Sequence, residues 1–326
     1  MLFLALVLLA VIIDLSYAAP TPVTTLADPV SALLVDPLAL PFFANNSSST
    51  PKFDSIVAFG DQWTDDGSGA FHLTDGEWPS DRHYYSHSFT NGPTYISHLS
   101  SLLRLPTPTT SFGTDGATTN TSLVQGFTGK DRKQPARSVN EQVSYFVKST
   151  PFKGGQERLF VLQGGLNDWL YSQGGVSAED SARSLGNAAL QLSGWGVRHI
   201  LLLNLPSPLT YPYAVSSNPF AQPFLSNFTR SFRDALWTFD AQYENVVVAD
   251  VFSLFQSIED HPTQWGYEES VGEACLTGVY GECGGNVSVC TFPSEYVWWD
   301  QFNPTNTTHT YLSMLLWATL KRADWI

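Results

Sequence analysis

The sequence predicts an α/β fold in which a central parallel sheet is covered on both faces by helices. Two observations lead there. Short apolar runs of strand length recur from residue 53 onward, with stretches of helical apolar spacing between them. The first run, Ser55-Ile56-Val57-Ala58-Phe59, turns at once into the polar, Gly-punctuated Gly60-Asp61-Gln62-Trp63-Thr64-Asp65-Asp66-Gly67. Open α/β folds present a functional residue in this way, on a loop above the strand ends.

Taken in order, the chain opens on Met1 to Ile13, an apolar run short for a membrane span, followed by Ser16-Tyr17-Ala18 with small residues where signal cleavage is recognised. Residues 1–18 are therefore expected to be a signal peptide; an uncleaved anchor is the rival, because no Lys or Arg precedes the run. Residues 19–52, rich in Pro, Thr, Ser and Asn and without a sustained period, form an expected extended leader. The remainder, 53–326, is one domain. After the first strand, Thr94 to Leu103 and Val139 to Val147 carry helical spacing, and Arg158 to Gln163 is a buried strand ending in Gly164-Gly165-Leu166-Asn167-Asp168. A long helix is expected after Ser177, whose hydroxyl can cap it with Asp180 three residues on, stopping by Gly194 or Gly196. Arg198 to Leu203 is the next strand, Phe224 to Tyr243 a helix, Val246 to Ala249 a strand and Thr310 to Leu320 the last helix. Alternation at this spacing makes a parallel sheet.

Composition narrows the partners. Asp and Glu outnumber Lys and Arg by 30 to 16, a net charge of −14, which argues against nucleic acid and anionic membrane surfaces. With 13% aromatic and only 14% charged residues, neutral ligands such as carbohydrates or small esters fit better. Asn-x-Ser/Thr sequons at Asn45, Asn46, Asn120, Asn227, Asn286 and Asn306 agree with secretion. In an oxidising compartment Cys275, Cys283 and Cys290 would give one disulfide and one spare thiol; Cys275 with Cys290 is preferred, and the other two pairings stay open. No metal site is expected, since there is no close Cys-x-x-Cys and no paired His nearby.

Four blocks now line up. The loop after the first strand resembles the Gly-Asp-Ser-x-x-Asp block of the GDSL (SGNH) hydrolase superfamily, Asp115-Gly116-Ala117-Thr118 its second block and Gly165-Leu166-Asn167-Asp168 its third. Trp298-Trp299-Asp300-Gln301-Phe302-Asn303-Pro304-Thr305 resembles the final Trp-Asp-x-x-His-Pro-Thr block. Within the superfamily the chain looks most like secreted fungal acetylesterases of carbohydrate esterase family sixteen. The resemblance implies a three-layer, flavodoxin-like SGNH-hydrolase fold, ester hydrolysis without a cofactor, and a serine, a histidine and an aspartate acting with two oxyanion donors. Carried over, Gly116 and Asn167 are the oxyanion donors and Asp300 the triad acid. Gln62 stands at the nucleophile position and Asn303 at the base position.

A carboxamide is neither a nucleophile nor a base at neutral pH, so activity by the family route is expected to be very low. Thr64, Thr305 and His309 are the candidate substitutes. His309, nine residues past Asp300, would stand about 13 Å away along a helix, which favours a core or capping role. The aromatics beside the blocks, Trp63, Trp169 and Trp299, are the expected ligand contacts for an acyl-carbohydrate, with simple packing as the alternative. Three readings follow: a catalytically impaired esterase fold that binds saccharide, an active acetylesterase with another nucleophile, or a structural or decoy glycoprotein.

Overall fold

The structure is a computed structural model that describes residues 52–151, 157–267, 271–280 and 286–326. The expected signal peptide, nearly all of the leader, Asn45, Asn46 and Cys283 lie outside the described residues. In chain order the strands are β1 (Ser55–Phe59), β2 (Thr110–Ser111), β3 (Phe127–Thr128), β4 (Gln134–Pro135), β5 (Arg158–Leu162), β6 (Ile200–Leu203), β7 (Val246–Ala249), β8 (Leu276–Thr277) and β9 (Ser288–Val289). The helices are α1 (Ala70–Leu73), α2 (Tyr95–Leu102), α3 (Val139–Ser149), α4 (Leu166–Ser172), α5 (Ala178–Gly194), α6 (Gln222–Gln242), α7 (Val251–Asp260) and α8 (Asn306–Arg322).

The main sheet is parallel, with strand order β2-β1-β5-β6-β7. That order runs outward from β1 in both directions, as in the flavodoxin-like arrangement, and places the switch point between β1 and β5. β6 is buried at every position, and β1 and β5 at all but their first residue, so helices cover both faces. α3 packs on α5 and α5 on α6, while α8 packs on α2 and α7.

Local chemistry explains the helix ends. Ser138 opens α3 with a capping box, its hydroxyl accepting from the Glu141 N–H while the Glu141 carboxylate accepts from the Ser138 N–H. Ser177 caps α5 by accepting from the Asp180 N–H, and Thr305 caps α8 by accepting from the Thr308 N–H. The last cap corrects the sequence reading: α8 begins at Asn306 rather than Thr310, immediately after the fourth block. α7 was not expected, although Val251, Phe252, Leu254, Phe255 and Ile258 keep one face of it buried and Asp250 caps it. Cys275 and Cys290 are joined by a disulfide that brackets the small β8–β9 pair.

Candidate functional site

The loops after β1 and β5 rise side by side from the carboxyl ends of the switch-point strands. Two glutamines that the sequence reading did not single out fix the first loop. The Gln142 carboxamide accepts from the Gly60 N–H at 2.9 Å and donates to the Gly60 carbonyl at 2.9 Å. Gln163, at the end of β5, accepts from the Asp61 N–H and donates to its carboxylate at 2.9 Å. Glycine is required at position 60, where a Cβ would lie 2.4 Å from the Thr64 hydroxyl oxygen.

The aspartates of the blocks tie these loops together. Asp65 accepts from the N–H groups of Gly67, Gly69, Ala70 and Asp115, joining the first block to the second. Asp168 accepts from the Thr119 N–H at 2.8 Å and the Thr119 hydroxyl at 2.5 Å, joining the third block to the second. Burial pushes Asp61 up to about 7 and Asp168 up to about 6. These buried carboxylates order backbone.

At the centre, Gln62 is 4% exposed, and its side-chain oxygen accepts from Nδ2 of Asn167 at 2.9 Å. The same Nδ2 donates to the Ala117 carbonyl at 2.9 Å. The expected oxyanion donor is therefore already engaged by Gln62, the residue expected at the nucleophile position. Gly116 sits at φ +78°, where a Cβ would be 2.0 Å from the Phe127 carbonyl oxygen. Burial raises the Asp115 carboxyl, against hydrogen bonds from Thr128, Trp78 and the Gly116 N–H and the positive charge of Arg132. The cavity over Gln62 has a volume of about 20 Å³ and is walled by Trp78, Asp115, Arg132, Asn167, Tyr280 and Phe302. That is room for about one water molecule and not for an acyl group.

On the other side of the site, Asn303 donates through Nδ2 to both carboxylate oxygens of Asp300, at 3.0 and 2.9 Å. Asp300 also accepts from the Tyr84 hydroxyl at 2.6 Å and from the N–H groups of Phe302 and Asn303. Burial lifts its carboxyl to about 6. The Asn303 side-chain oxygen is buried without a hydrogen-bond partner among the described residues. The opposite amide orientation would set that oxygen against the carboxylate. Asn303 thus reproduces the donor and acceptor pattern of a neutral imidazole without its basicity.

The substitutes considered from sequence are committed elsewhere. The Thr64 hydroxyl is fully buried between the Tyr95 hydroxyl at 2.8 Å and Gln163. The Thr305 hydroxyl caps α8 and donates to the Tyr296 carbonyl. His309 accepts at Nδ1 from the Tyr95 N–H and stacks on the Tyr95 ring, and burial pushes its pKa down to about 3. The expected ligand tryptophans need correction. Trp63 is 3% exposed, packs on Phe255 and Trp298 and donates to the Phe302 carbonyl, because the loop after β1 turns back into the core. Trp299 is buried with Tyr84, Cys275 and Leu276. Trp169 borders a separate surface groove beside Phe224 and Asn227. Trp78, which the sequence reading passed over, is the tryptophan at the site.

Of the expected glycosylation sites, Asn120, Asn227, Asn286 and Asn306 are described. Asn227 and Asn286 are exposed, Asn120 is half-buried, and Asn306 is half-buried with its side-chain oxygen on His98. No group of three or more His, Cys, Asp or Glu among the described residues is placed to hold a metal ion, and none of their helices is long and apolar enough to cross a membrane.

No family model matches the chain. GDSL esterase/lipase 6 of Arabidopsis thaliana is 23% identical over 332 residues, 87% of this chain and 90% of its own. Thermolabile hemolysin of Vibrio parahaemolyticus is 21% identical over 83% of this chain, and the match spans only 65% of the hemolysin. A phosphatidylcholine-sterol acyltransferase of Aeromonas hydrophila is 29% identical over 163 residues, 49% of this chain and 47% of that protein. Over more than four fifths of its length the chain is similar to esterases and lipases of the GDSL/SGNH superfamily. The two carboxamides expected at the nucleophile and base positions, Gln62 and Asn303, are bound to Asn167 and to Asp300 respectively.

Proposed function

We propose that this GDSL/SGNH esterase/lipase-like protein no longer hydrolyses esters by the superfamily route and acts instead as a secreted, glycosylated binding protein for saccharides. The observation that carries the first half is the Gln62–Asn167 hydrogen bond. An uncharged carboxamide oxygen occupies the donor that ester hydrolysis would aim at an oxyanion, and no basic group stands on Asp300. The engagement of Thr64, Thr305 and His309 in the core argues against a replacement nucleophile or base.

The finer parts of the proposal are the kinship with acetylesterases of carbohydrate esterase family sixteen, the secretion and the saccharide. The sequons and the apolar N-terminal run support secretion. An open groove of about 750 Å³ supports the saccharide; it lies outside the small cavity and is bordered by Trp78, Tyr213, Tyr280 and Phe302. Its size suits a short oligosaccharide, and aromatic walls suit sugar faces. Two measurements on the unmodified protein test the reading together. Turnover of p-nitrophenyl acetate should stay near the uncatalysed rate, and calorimetry should detect a short oligosaccharide. Esterase turnover at ordinary enzymatic rates would overturn it.

A further inference from the structure

The partition between the small cavity and the outer groove contains one residue whose chemistry the esterase fold leaves unused. Arg132 lies in the turn between β3 and β4, its N–H donating to the Gly129 carbonyl at 2.9 Å. It adopts φ +50°, a left-handed conformation unfavourable for a residue with a Cβ. Its guanidinium carbon stands 5.3 Å from the centre of the Phe302 ring and 5.8 Å from that of Tyr280. Both cavity and groove count Arg132 among their walls.

None of its guanidinium N–H groups is hydrogen-bonded or in an ion pair with a carboxylate among the described residues. Among the described residues, Asp81, Asp131 and Asp115 stand nearby and each has another partner. Asp81 is on His83 at 2.6 Å, Asp131 on Lys133 at 3.3 Å, and Asp115 accepts from Trp78 and Thr128. Arg132 is exposed at the groove wall and stacked near two rings, and among the described residues its charge acts on the buried Asp115 carboxyl without forming an ion pair with it, which leaves its donors to the groove. Its planar fork matches a carboxylate with two parallel hydrogen bonds.

We propose that Arg132 is the anion-binding residue of the outer groove and that the ligand is an acidic saccharide, a uronic acid carboxylate meeting Arg132 while a sugar ring lies along the aromatic wall. The inference rests on the saccharide reading above and sharpens its ligand class from neutral to acidic.

Titration calorimetry of the full chain with a galacturonic acid trisaccharide and a neutral trisaccharide of equal length tests it. Wild type should bind the acidic sugar about tenfold more tightly or better, a preference that shrinks as salt rises from about 50 mM to about 0.5 M. Arg132→Gln should abolish the preference at an unchanged melting temperature, and Arg132→Lys should keep part of it. Equal affinities in wild type, or a preference that survives Arg132→Gln, overturns this proposal alone. Failure to bind either sugar overturns the saccharide reading with it.

Discussion

Gln142→Leu is the substitution that most directly probes how the loop after β1 is held. The side chain is 2% exposed and spans three backbone groups: the Gly60 N–H, the Gly60 carbonyl and the Arg137 carbonyl at 3.1 Å. Leucine fills nearly the same volume, so the cavity contribution is small. The Gly60 carbonyl keeps a second donor, the Thr114 N–H at 3.0 Å. The Gly60 N–H keeps nothing, and a buried donor left without an acceptor costs about 1–3 kcal/mol. With the lost bonds to the two carbonyls, the expected destabilisation is about 2–4 kcal/mol. Urea denaturation should show it as a lower midpoint with an unchanged slope. A loss below about 1 kcal/mol would mean that the clamp does not hold the loop, and the account of its shape would fail.

Three further outcomes follow from the same geometry. Burial sets the carboxyls of Asp61, Asp168 and Asp300 above their unfolded values, so the folded protein binds extra protons between about pH 4 and pH 7. Their contribution to stability is full below the unfolded pKa and is lost as pH rises through the folded one, by up to about 1.4 kcal/mol per pH unit for each group. Melting temperature should therefore rise on acidification from about pH 7.5 to pH 5, and less so in Asp300→Asn. Replacing both Cys275 and Cys290 by Ala opens a link between residues 15 apart and should cost about 3 kcal/mol, measured by melts with and without reductant. Trp63→Ala should cost about 3–5 kcal/mol in stability, because the indole is core; an unchanged melting temperature would contradict that placement.

Four of the five strands of the main sheet and the cap at Ser177 were legible because each depends on residues close together in the chain, whereas the two-residue β2 carries no pattern of its own. So were the four blocks, within which some contacts are local, as those of Asp65 with Gly67, Gly69 and Ala70 are. What escaped is long-range. Gln142 meets Gly60 across 82 residues and Tyr84 meets Asp300 across 216, and no local pattern announces either. Arg132 escaped for the same reason, since its rings come from Tyr280, between β8 and β9, and from Phe302 in the fourth block. The tryptophans misled because adjacency to a block was taken for exposure at its rim. Trp63 follows the nucleophile position directly, yet its indole N–H reaches the Phe302 carbonyl 239 residues on, inside the core. The aromatic at the groove, Trp78, belongs to no block and is placed by its hydrogen bond to Asp115.

The central claim is that two carboxamides silence an otherwise intact hydrolase scaffold, and restoring both side chains tests it most directly. Gln62→Ser removes the group that occupies Asn167 and enlarges a cavity of about 20 Å³, and Asn303→His returns a base to Asp300. With p-nitrophenyl acetate, wild type and each single variant should stay near the uncatalysed rate, while the double variant should exceed them by about 10³-fold or more, because the triad acts as a unit. A folded double variant that remains inert, or a wild type that already turns over at the rate expected of the double variant, would contradict the account.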